Sequence, residues 1–226
     1  MALSDSQIER YSRQIIVPEV GGRGQERLLA SRLLICGEPG DIEPMLAYMA
    51  GAGVGKIFLH TGSEKSRIDL MIAEMRALNP DSEVVSARDF SDPADLIVIL
   101  AGSAESVNLA RTFSPAVPRS PALILARLDI PGKIAVMTKT PPCPICADAG
   151  LVAPLAARAE AAGFIAMAAA VEAFKLLIGR APSVSTLLEF DGYRCTAREL
   201  KAKPGAARCG CSIARAEAKP PEAKPQ

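Results

Sequence analysis

Several residue types that carry common chemistries are scarce or missing in this chain. The 226 residues contain no tryptophan and one histidine, and aromatic residues make up 4%. A single imidazole, His60, argues against a histidine triad or a histidine acid–base pair, while carboxylate and cysteine chemistry stay open. No run of 18 apolar residues is present, so we expect no membrane span. A net charge of +1 gives no field suited to nucleic acid or to a membrane surface, and we expect neither partner.

Cysteine usage points to a reducing compartment. The first seven residues lack the basic and apolar regions of a signal peptide, which predicts a cytoplasmic protein. Thiols stay reduced there, so the six cysteines favour metal or thiol chemistry over a disulfide framework. Four of them form two short pairs, Cys143-x-x-Cys146 and Cys209-x-Cys211. Two such pairs supply the four thiolates that zinc prefers, but a set of unrelated reduced thiols is an equal alternative.

The remaining cysteines and the histidine are read as structural. Cys36 and Cys195 lie in strand-like segments, which predicts small buried apolar residues. His60 ends a predicted strand, where a structural role is commoner than a metal ligand.

Strand-like and helix-like segments alternate along most of the chain. Strands are predicted at 33–36, 56–60, 83–86, 94–101, 122–128 and 132–137. Helices are predicted around 44–51, 66–78, 103–113 and 164–178. This alternation predicts an α/β fold with a doubly wound, Rossmann-like, mostly parallel sheet and helices on both faces.

The chain divides into four predicted regions. Residues 1–31 form an N-terminal helical arm, broken at Pro18, with a flexible joint at residues 21–24 and a second helix at 25–31. Residues 32–138 form the Rossmann-like core of nucleotide-binding type. Residues 139–212 add a cysteine knuckle, a helix and a hairpin that turns at Asp191-Gly192. Residues 213–226 are rich in Ala, Lys, Glu and Pro and are predicted to be disordered.

The turn after the first strand is the candidate phosphate site. In dinucleotide-binding folds a G-x-G-x-x-G turn lets phosphate approach the backbone at a helix N-terminus. Here the three glycine positions hold Gly37, Pro39 and Ile42. Pro39 removes an N–H group, and Asp41 brings an anion toward the phosphate position. Gly37 and Gly40 are the candidate backbone contacts.

Five segments, in a specific order and spacing, carry a resemblance to a known family. They are ERYSRQII at 9–16 with GQERL at 24–28, AGAGVG at 50–55, LNP at 78–80, PCPIC at 142–146, and EAFKLLIG at 172–179. Together they resemble the ThiF, MoeB and HesA adenylyltransferases and the ubiquitin-activating enzymes, over roughly residues 7 to 212.

The resemblance implies a function, partners and a metal. In this family ATP and magnesium convert the C-terminal glycine carboxylate of a small ubiquitin-fold protein to an acyl-adenylate, which passes to a sulfur donor or a cysteine. It implies a homodimer or a heterodimer with a paralogue, in which Arg13 corresponds to an arginine that reaches ATP across the dimer. It also implies structural zinc held by Cys143, Cys146, Cys209 and Cys211.

Several positions depart from the family pattern. The acidic residue that grasps ribose is replaced in Thr61-Gly62-Ser63, and the arginine segment that follows is missing. The family lysine falls on Arg67, which keeps the charge but not the geometry. The magnesium aspartate falls on Gly102, with Ser103 in place of an asparagine.

These departures predict a degenerate member with an eroded ATP site and no assigned catalytic residue. Its expected role is a binding or regulatory partner in sulfur-carrier activation, in molybdopterin-type or thiamine-type cofactor biosynthesis, or in protein-modifier chemistry. One alternative is an active adenylyltransferase in which Arg13 and Arg67 handle phosphates. Another is a dinucleotide- or small-ligand-binding module at the strand ends.

Overall fold

An eight-stranded sheet forms the centre of the described part of the chain. A computed structural model describes residues 3–62, 65–87, 94–112, 122–138, 142–155 and 162–204. The strand order is β3-β2-β1-β4-β5-β6-β7-β8. The strands are β1 Arg32–Cys36, β2 Lys56–His60, β3 Glu83–Ser86, β4 Leu96–Ala101, β5 Ala122–Arg127, β6 Gly132–Met137, β7 Thr186–Phe190 and β8 Cys195–Glu199.

The first five strands are parallel, and the last three continue the sheet in antiparallel fashion. The order 3-2-1-4-5 is that of the Rossmann fold, so the prediction of a mostly parallel α/β sheet is confirmed. The Asp191-Gly192 hairpin is confirmed too. The N–H of Asp191 donates to the Arg194 carbonyl oxygen, and Gly192 has a φ of +98°.

Helices connect the strands and cover both faces of the sheet. They are α1 Asp5–Arg10, α2 Ser12–Ile15, α3 Gly21–Ala30, α4 Pro39–Ala52, α5 Lys65–Leu78, α6 Ala104–Thr112 and α7 Ala162–Leu177. Side chains of α3, α4, α5 and α7 pack with Leu33 and Ile35 on one face. Side chains of α6 pack with Leu34 and Cys36 on the other. Successive side chains of β1 thus point alternately into two apolar layers, one on each face of the sheet.

Two predicted helix starts are wrong. The helix predicted from Pro44 begins at Pro39, because a proline directly after the N-cap suits the first helical position. The glycines at 21–24 belong to α3 instead of forming a joint. A Cβ on Gly24 would lie 3.2 Å from Val20 and 3.7 Å from Ile178, so this glycine allows α3 to approach the residue that follows α7.

Cys36 and Cys195, both predicted to be buried, differ in exposure. Cys36 is buried at the end of β1, and burial raises the pKa of its thiol. Cys195 is exposed, so the prediction of a buried residue there is wrong. All five residues of β8, the last strand of the sheet, are exposed. The division into an arm, a core and a C-terminal region stays a prediction, and the proposed tail lies outside the described residues.

Candidate functional site

The candidate crevice lies where the strand order reverses, between the carboxyl ends of β1 and β4. Gly37 follows β1 with a φ of +152°, and its N–H donates to the His60 carbonyl oxygen at 3.2 Å. A Cβ on Gly37 would lie 2.8 Å from the Leu100 carbonyl oxygen. The close packing of β1 against β4 therefore requires this glycine whether or not phosphate binds.

Acidic side chains surround the N-terminus of α4. Glu38 is the N-cap residue, Pro39 starts the helix, and Asp41 is buried in its first turn. Gly40 is exposed, and a Cβ there would meet nothing within 4 Å, so no close approach requires a glycine. Carboxylates are stabilised at a helix N-terminus and would repel phosphate from it.

Glu38 also bridges the crevice. Ser103, at the start of α6, donates from Oγ to Glu38 Oε1 at 2.9 Å. The N–H of Ser106 donates back to Ser103 Oγ at 3.2 Å. Glu38 thereby links the ends of β1 and β4, and no sequence pattern indicated this contact. The neighbouring Gly102 has no side-chain oxygen, so it offers magnesium no carboxylate ligand.

Arg67 lies on the surface of α5 near α4. One of its guanidinium nitrogens is 4.0 Å from a Glu43 carboxylate oxygen, and both side chains are more than half exposed. An exposed ion pair at this distance is weak. Arg67 therefore stays available to another anion that approaches α4.

Arg13 lies at the opposite edge of the sheet. Its neighbours Arg10 and Gln14 contact Asp81 and the Ala52 carbonyl oxygen, near the amino ends of β2 and β3. A five-residue strand is about 17 Å long. The amino ends of the strands, where Arg13 lies, are therefore about one strand length from the crevice at their carboxyl ends. Within one chain, Arg13 is not brought together with Gly37, Gly40 and Arg67.

Three of the segments that carry the family resemblance, at 9–16, 50–55 and 78–80, meet in one polar cluster at the amino ends of the strands. Tyr11 is buried; its hydroxyl donates to Asp81 Oδ2 at 3.0 Å and accepts from Asn79 Nδ2 at 2.9 Å. Asn79 Nδ2 also donates to the Ala50 carbonyl oxygen at 2.7 Å. A Cβ on Gly53, which has a φ of +89°, would lie 2.7 Å from the Tyr11 ring. These segments therefore hold the N-terminal helices on the sheet and lie apart from the crevice.

A buried ion pair that the sequence did not predict lies at the end of β5. Arg127 and Asp129 form a salt bridge, with side chains 5% and 6% exposed. Arg127 also donates to the carbonyl oxygens of Leu151, Ala153 and Pro154. The sequence offered one hint of this ion pair, because Arg127 ends an otherwise apolar strand. The pair anchors the segment after the cysteine turn over the carboxyl edge of the sheet.

The first cysteine pair forms a buried turn. The N–H of Cys143 donates to Cys146 Sγ at 3.3 Å, and the N–H of Ala147 donates to the Cys143 carbonyl oxygen at 3.0 Å. Both thiols are buried. An N–H donor near sulfur stabilises a thiolate, which is the form that binds zinc.

The chain returns to this turn after β8. The N–H of Lys203 donates to the Cys146 carbonyl oxygen at 2.8 Å, and Ala147 forms a bridge with Ala202. Cys209 and Cys211 lie outside the described residues, six and eight positions after Lys203. Among the residues that the structure does describe, three or more potential metal ligands are nowhere grouped.

No helix in the described part of the chain combines the length and apolar character needed to cross a bilayer.

Comparisons with known proteins give a consistent fold. No protein-family model matches the chain. It is 27% identical to the adenylyltransferase and sulfurtransferase MOCS3 of Aedes aegypti, over 93% of this chain and 56% of that protein. It is 31% identical to the SAMP-activating enzyme E1 of Haloferax volcanii, over 50% of this chain and 48% of that protein. The chain thus spans about half the length of these curated relatives.

Solved structures agree at the level of the fold. E. coli MccB with MccA-N7isoASN superposes with a TM-score of 0.67 at 15% identity, covering 92% of this chain and 76% of MccB. E. coli MccB with ATP superposes with a TM-score of 0.65 at 15% identity, covering 88% and 74%.

Proposed function

We propose that this chain, which has the E1-like adenylyltransferase fold of the ThiF/MoeB family, is a non-catalytic binding or regulatory partner. Its setting would be the activation of a small ubiquitin-fold sulfur carrier, or cofactor biosynthesis of the molybdopterin or thiamine type. The names of its relatives, a MOCS3 adenylyltransferase and a SAMP-activating E1, support this setting.

The observation that carries the proposal is the Glu38–Ser103 hydrogen bond across the crevice. Triphosphate binding needs backbone N–H groups and cations at the start of α4. Instead a carboxylate lies at the N-cap, a proline lacks an N–H, and Gly102 offers no metal ligand. These residues are poorly suited to ATP with magnesium, which supports a role without adenylation.

The test is ATP binding by calorimetry, with and without magnesium, followed by ATP–pyrophosphate exchange with candidate ubiquitin-fold carriers. We expect no binding with a Kd below about 1 mM, a limit set by the loss of charge-assisted contacts, and no exchange. Micromolar, magnesium-dependent binding with exchange would contradict the proposal.

The alternative is an active adenylyltransferase with a rearranged site. It is favoured by the exposed Arg67 beside α4 and by the shared fold with a protein crystallised with ATP. In that case Arg67→Ala and Arg13→Ala would each abolish exchange, whereas Arg23→Ala, at another exposed arginine, would not.

In the proposed partner role, Arg13 would act on another subunit. In the described part of the chain, its guanidinium takes part in no hydrogen bond or ion pair, whereas Arg10 is 3.3 Å from Asp81. We propose that the chain forms a homodimer, or a heterodimer with an active paralogue to which Arg13 is lent. A ubiquitin-fold carrier is the proposed substrate of such an assembly.

We also propose structural zinc held by Cys143, Cys146, Cys209 and Cys211. The buried Cys143–Cys146 turn fits this metal, and the Lys203–Cys146 contact supports an approach of the second pair. Six extended residues reach about 20 Å, which is ample for Cys209. Such thiolates persist in the cytoplasm, where we place the chain.

A further inference from the structure

Residues 149–155, which we call the strap, are tied to the carboxyl end of β5 by the guanidinium of Arg127. Three backbone carbonyl oxygens of the strap accept its hydrogen bonds, those of Leu151, Ala153 and Pro154, at 3.1, 2.7 and 3.1 Å. Asp129 accepts from Nε at 3.1 Å and also from Nη2. These five contacts match the five N–H donors of a guanidinium, so the closed strap takes up most of the donors of Arg127.

Two further basic side chains hold the strap from neighbouring elements. Lys133 of β6 donates from Nζ to the Ala149 carbonyl oxygen at 2.8 Å, and Arg111 of α6 donates to that of Val152. None of the strand pairings among the described residues includes a strap residue. The strap is therefore attached by cationic side chains from β5, β6 and α6 and not by a strand ladder.

The strap buries little of itself. Ala149 and Leu151 are buried, Ala153 and Pro154 are exposed, and the three other residues are half-buried. All six residues of the nearby strand β4, in contrast, are buried. Segments with few buried apolar contacts and few backbone hydrogen bonds open at a lower free energy than core strands do.

The strap lies next to the candidate crevice. Arg127 pairs with Ala101 at the end of β4, and Ser103, which donates to Glu38 across the crevice, follows two positions later. Opening the strap would break the bonds from Arg127 to the strap carbonyl oxygens. The freed N–H groups would then lie at the carboxyl edge, where ligands bind in folds of this type.

We propose that the strap is a conformational latch, which opens locally while the sheet stays folded and which the Arg127–Asp129 pair holds closed. Closed, it withholds the donors of Arg127 from the crevice; open, it presents them there. This inference goes beyond the proposed function and does not depend on whether the chain binds ATP, so the two are tested separately.

The test is native-state hydrogen exchange of the full chain at low concentrations of guanidinium chloride, followed by NMR. The probe is the Ala153 N–H, which donates to the Gly150 carbonyl oxygen at 3.0 Å within the strap. The amides of β4 are the reference for opening of the sheet. After correction for intrinsic rates, we expect the wild-type Ala153 amide to exchange at least about tenfold faster than these.

Variants then assign the latch. Asp129→Asn removes the charge that holds Arg127, and should raise the exchange rate at Ala153 about tenfold while β4 changes less than about threefold. Arg111→Ala removes an exposed contact and should raise the rate at Ala153 about threefold. Asp95→Asn is the matched control, because it breaks an exposed Arg–Asp pair with Arg32 at the opposite, amino edge. It should leave exchange in the strap unchanged.

Two outcomes would overturn the inference. One is a wild-type strap that exchanges only together with β4, which would make it part of the core. The other is an Asp129→Asn protein in which the strap and β4 accelerate equally, or in which Asp95→Asn has the same effect on the strap. If Asp129→Asn fails to fold, the wild-type comparison and Arg111→Ala decide the matter, and an unchanged rate in Arg111→Ala then counts against the latch.

Discussion

Individual residues in this chain divide into those that hold the fold and those that face the crevice. Tyr11, Asn79 and Gly53 make contacts below 3 Å, or leave no room for a Cβ. Gly40 and Arg67 have open surroundings. Substitutions in the first group should therefore cost stability, while those in the second group should report only on a ligand.

Tyr11→Phe tests the polar cluster at the amino edge. Removing the hydroxyl breaks its hydrogen bonds to Asp81 and Asn79, which should lower the free energy of unfolding by about 1–3 kcal/mol. Tyr193→Phe, at a tyrosine that is 99% exposed, should stay within about 0.5 kcal/mol of wild type. Denaturant unfolding measures both.

The same pair of variants predicts a pH dependence. Burial raises the pKa of Tyr11 to about 12 from its usual 10. The native state keeps this proton longer than the unfolded state, so wild-type stability should fall as the pH rises from 10 to 12. In Tyr11→Phe that part of the fall should be missing. An equally steep fall would contradict the role assigned to this hydroxyl.

At the scale of elements, glycines set how closely helices approach one another. α7 ends before Gly179, which has a φ of +88°. Arg27 of α3 donates from Nη1 to the Ile178 carbonyl oxygen at 2.8 Å. A Cβ on Gly179 would overlap this guanidinium. The end of the EAFKLLIG segment thus depends on an arginine from α3.

Gly179→Ala should lower the free energy of unfolding by about 2–4 kcal/mol. The substitution places alanine in a left-handed backbone conformation. Its Cβ also displaces the charge-assisted hydrogen bond from Arg27 to the Ile178 carbonyl oxygen. Gly163→Ala is the control within the same helix, because a Cβ there meets nothing within 4 Å. It should stabilise the protein by about 0.5–1 kcal/mol. Equal thermal denaturation midpoints for the two variants would refute this account of the α3–α7 contact.

At the scale of the whole molecule, the proposed zinc would fasten the C-terminal region to the sheet. The turn at Cys143–Cys146 is linked to residues 201–203 by backbone hydrogen bonds. Arg198 of β8 adds an ion pair with Asp148 at 3.0 Å. A metal bound by both cysteine pairs would join these two segments. Because such a site forms only in the folded chain, metal binding would also stabilise the fold.

We therefore expect one equivalent of zinc per chain, measured by elemental analysis. The double variant Cys209→Ser with Cys211→Ser should lose the metal and unfold at lower temperature. Cys195→Ser, at the exposed cysteine of β8, should keep both zinc and stability. A wild-type protein that is folded and free of metal would rule out the assignment.

How much could be read from the sequence differs between the fold and the candidate site. β2, β3 and β6 were predicted residue for residue, because apolar runs bounded by glycine and proline are local signals. The helix start at Pro39 and the exposure of Cys195 were missed. The proline was a local signal that was overlooked, whereas the exposure of Cys195 depends on the place of β8 at the end of the sheet.

The sequence by itself determined the alternation of strands and helices, the loss of glycines from the phosphate turn, and the resemblance segments, since each is a pattern of neighbouring residues. Only the tertiary structure decided what those residues contact. It brought Tyr11, Asn79 and Gly53 together at one edge of the sheet, and placed Glu38 against Ser103 at the other. Contacts between residues so far apart along the chain depend on strand order and helix packing, which no local pattern specifies.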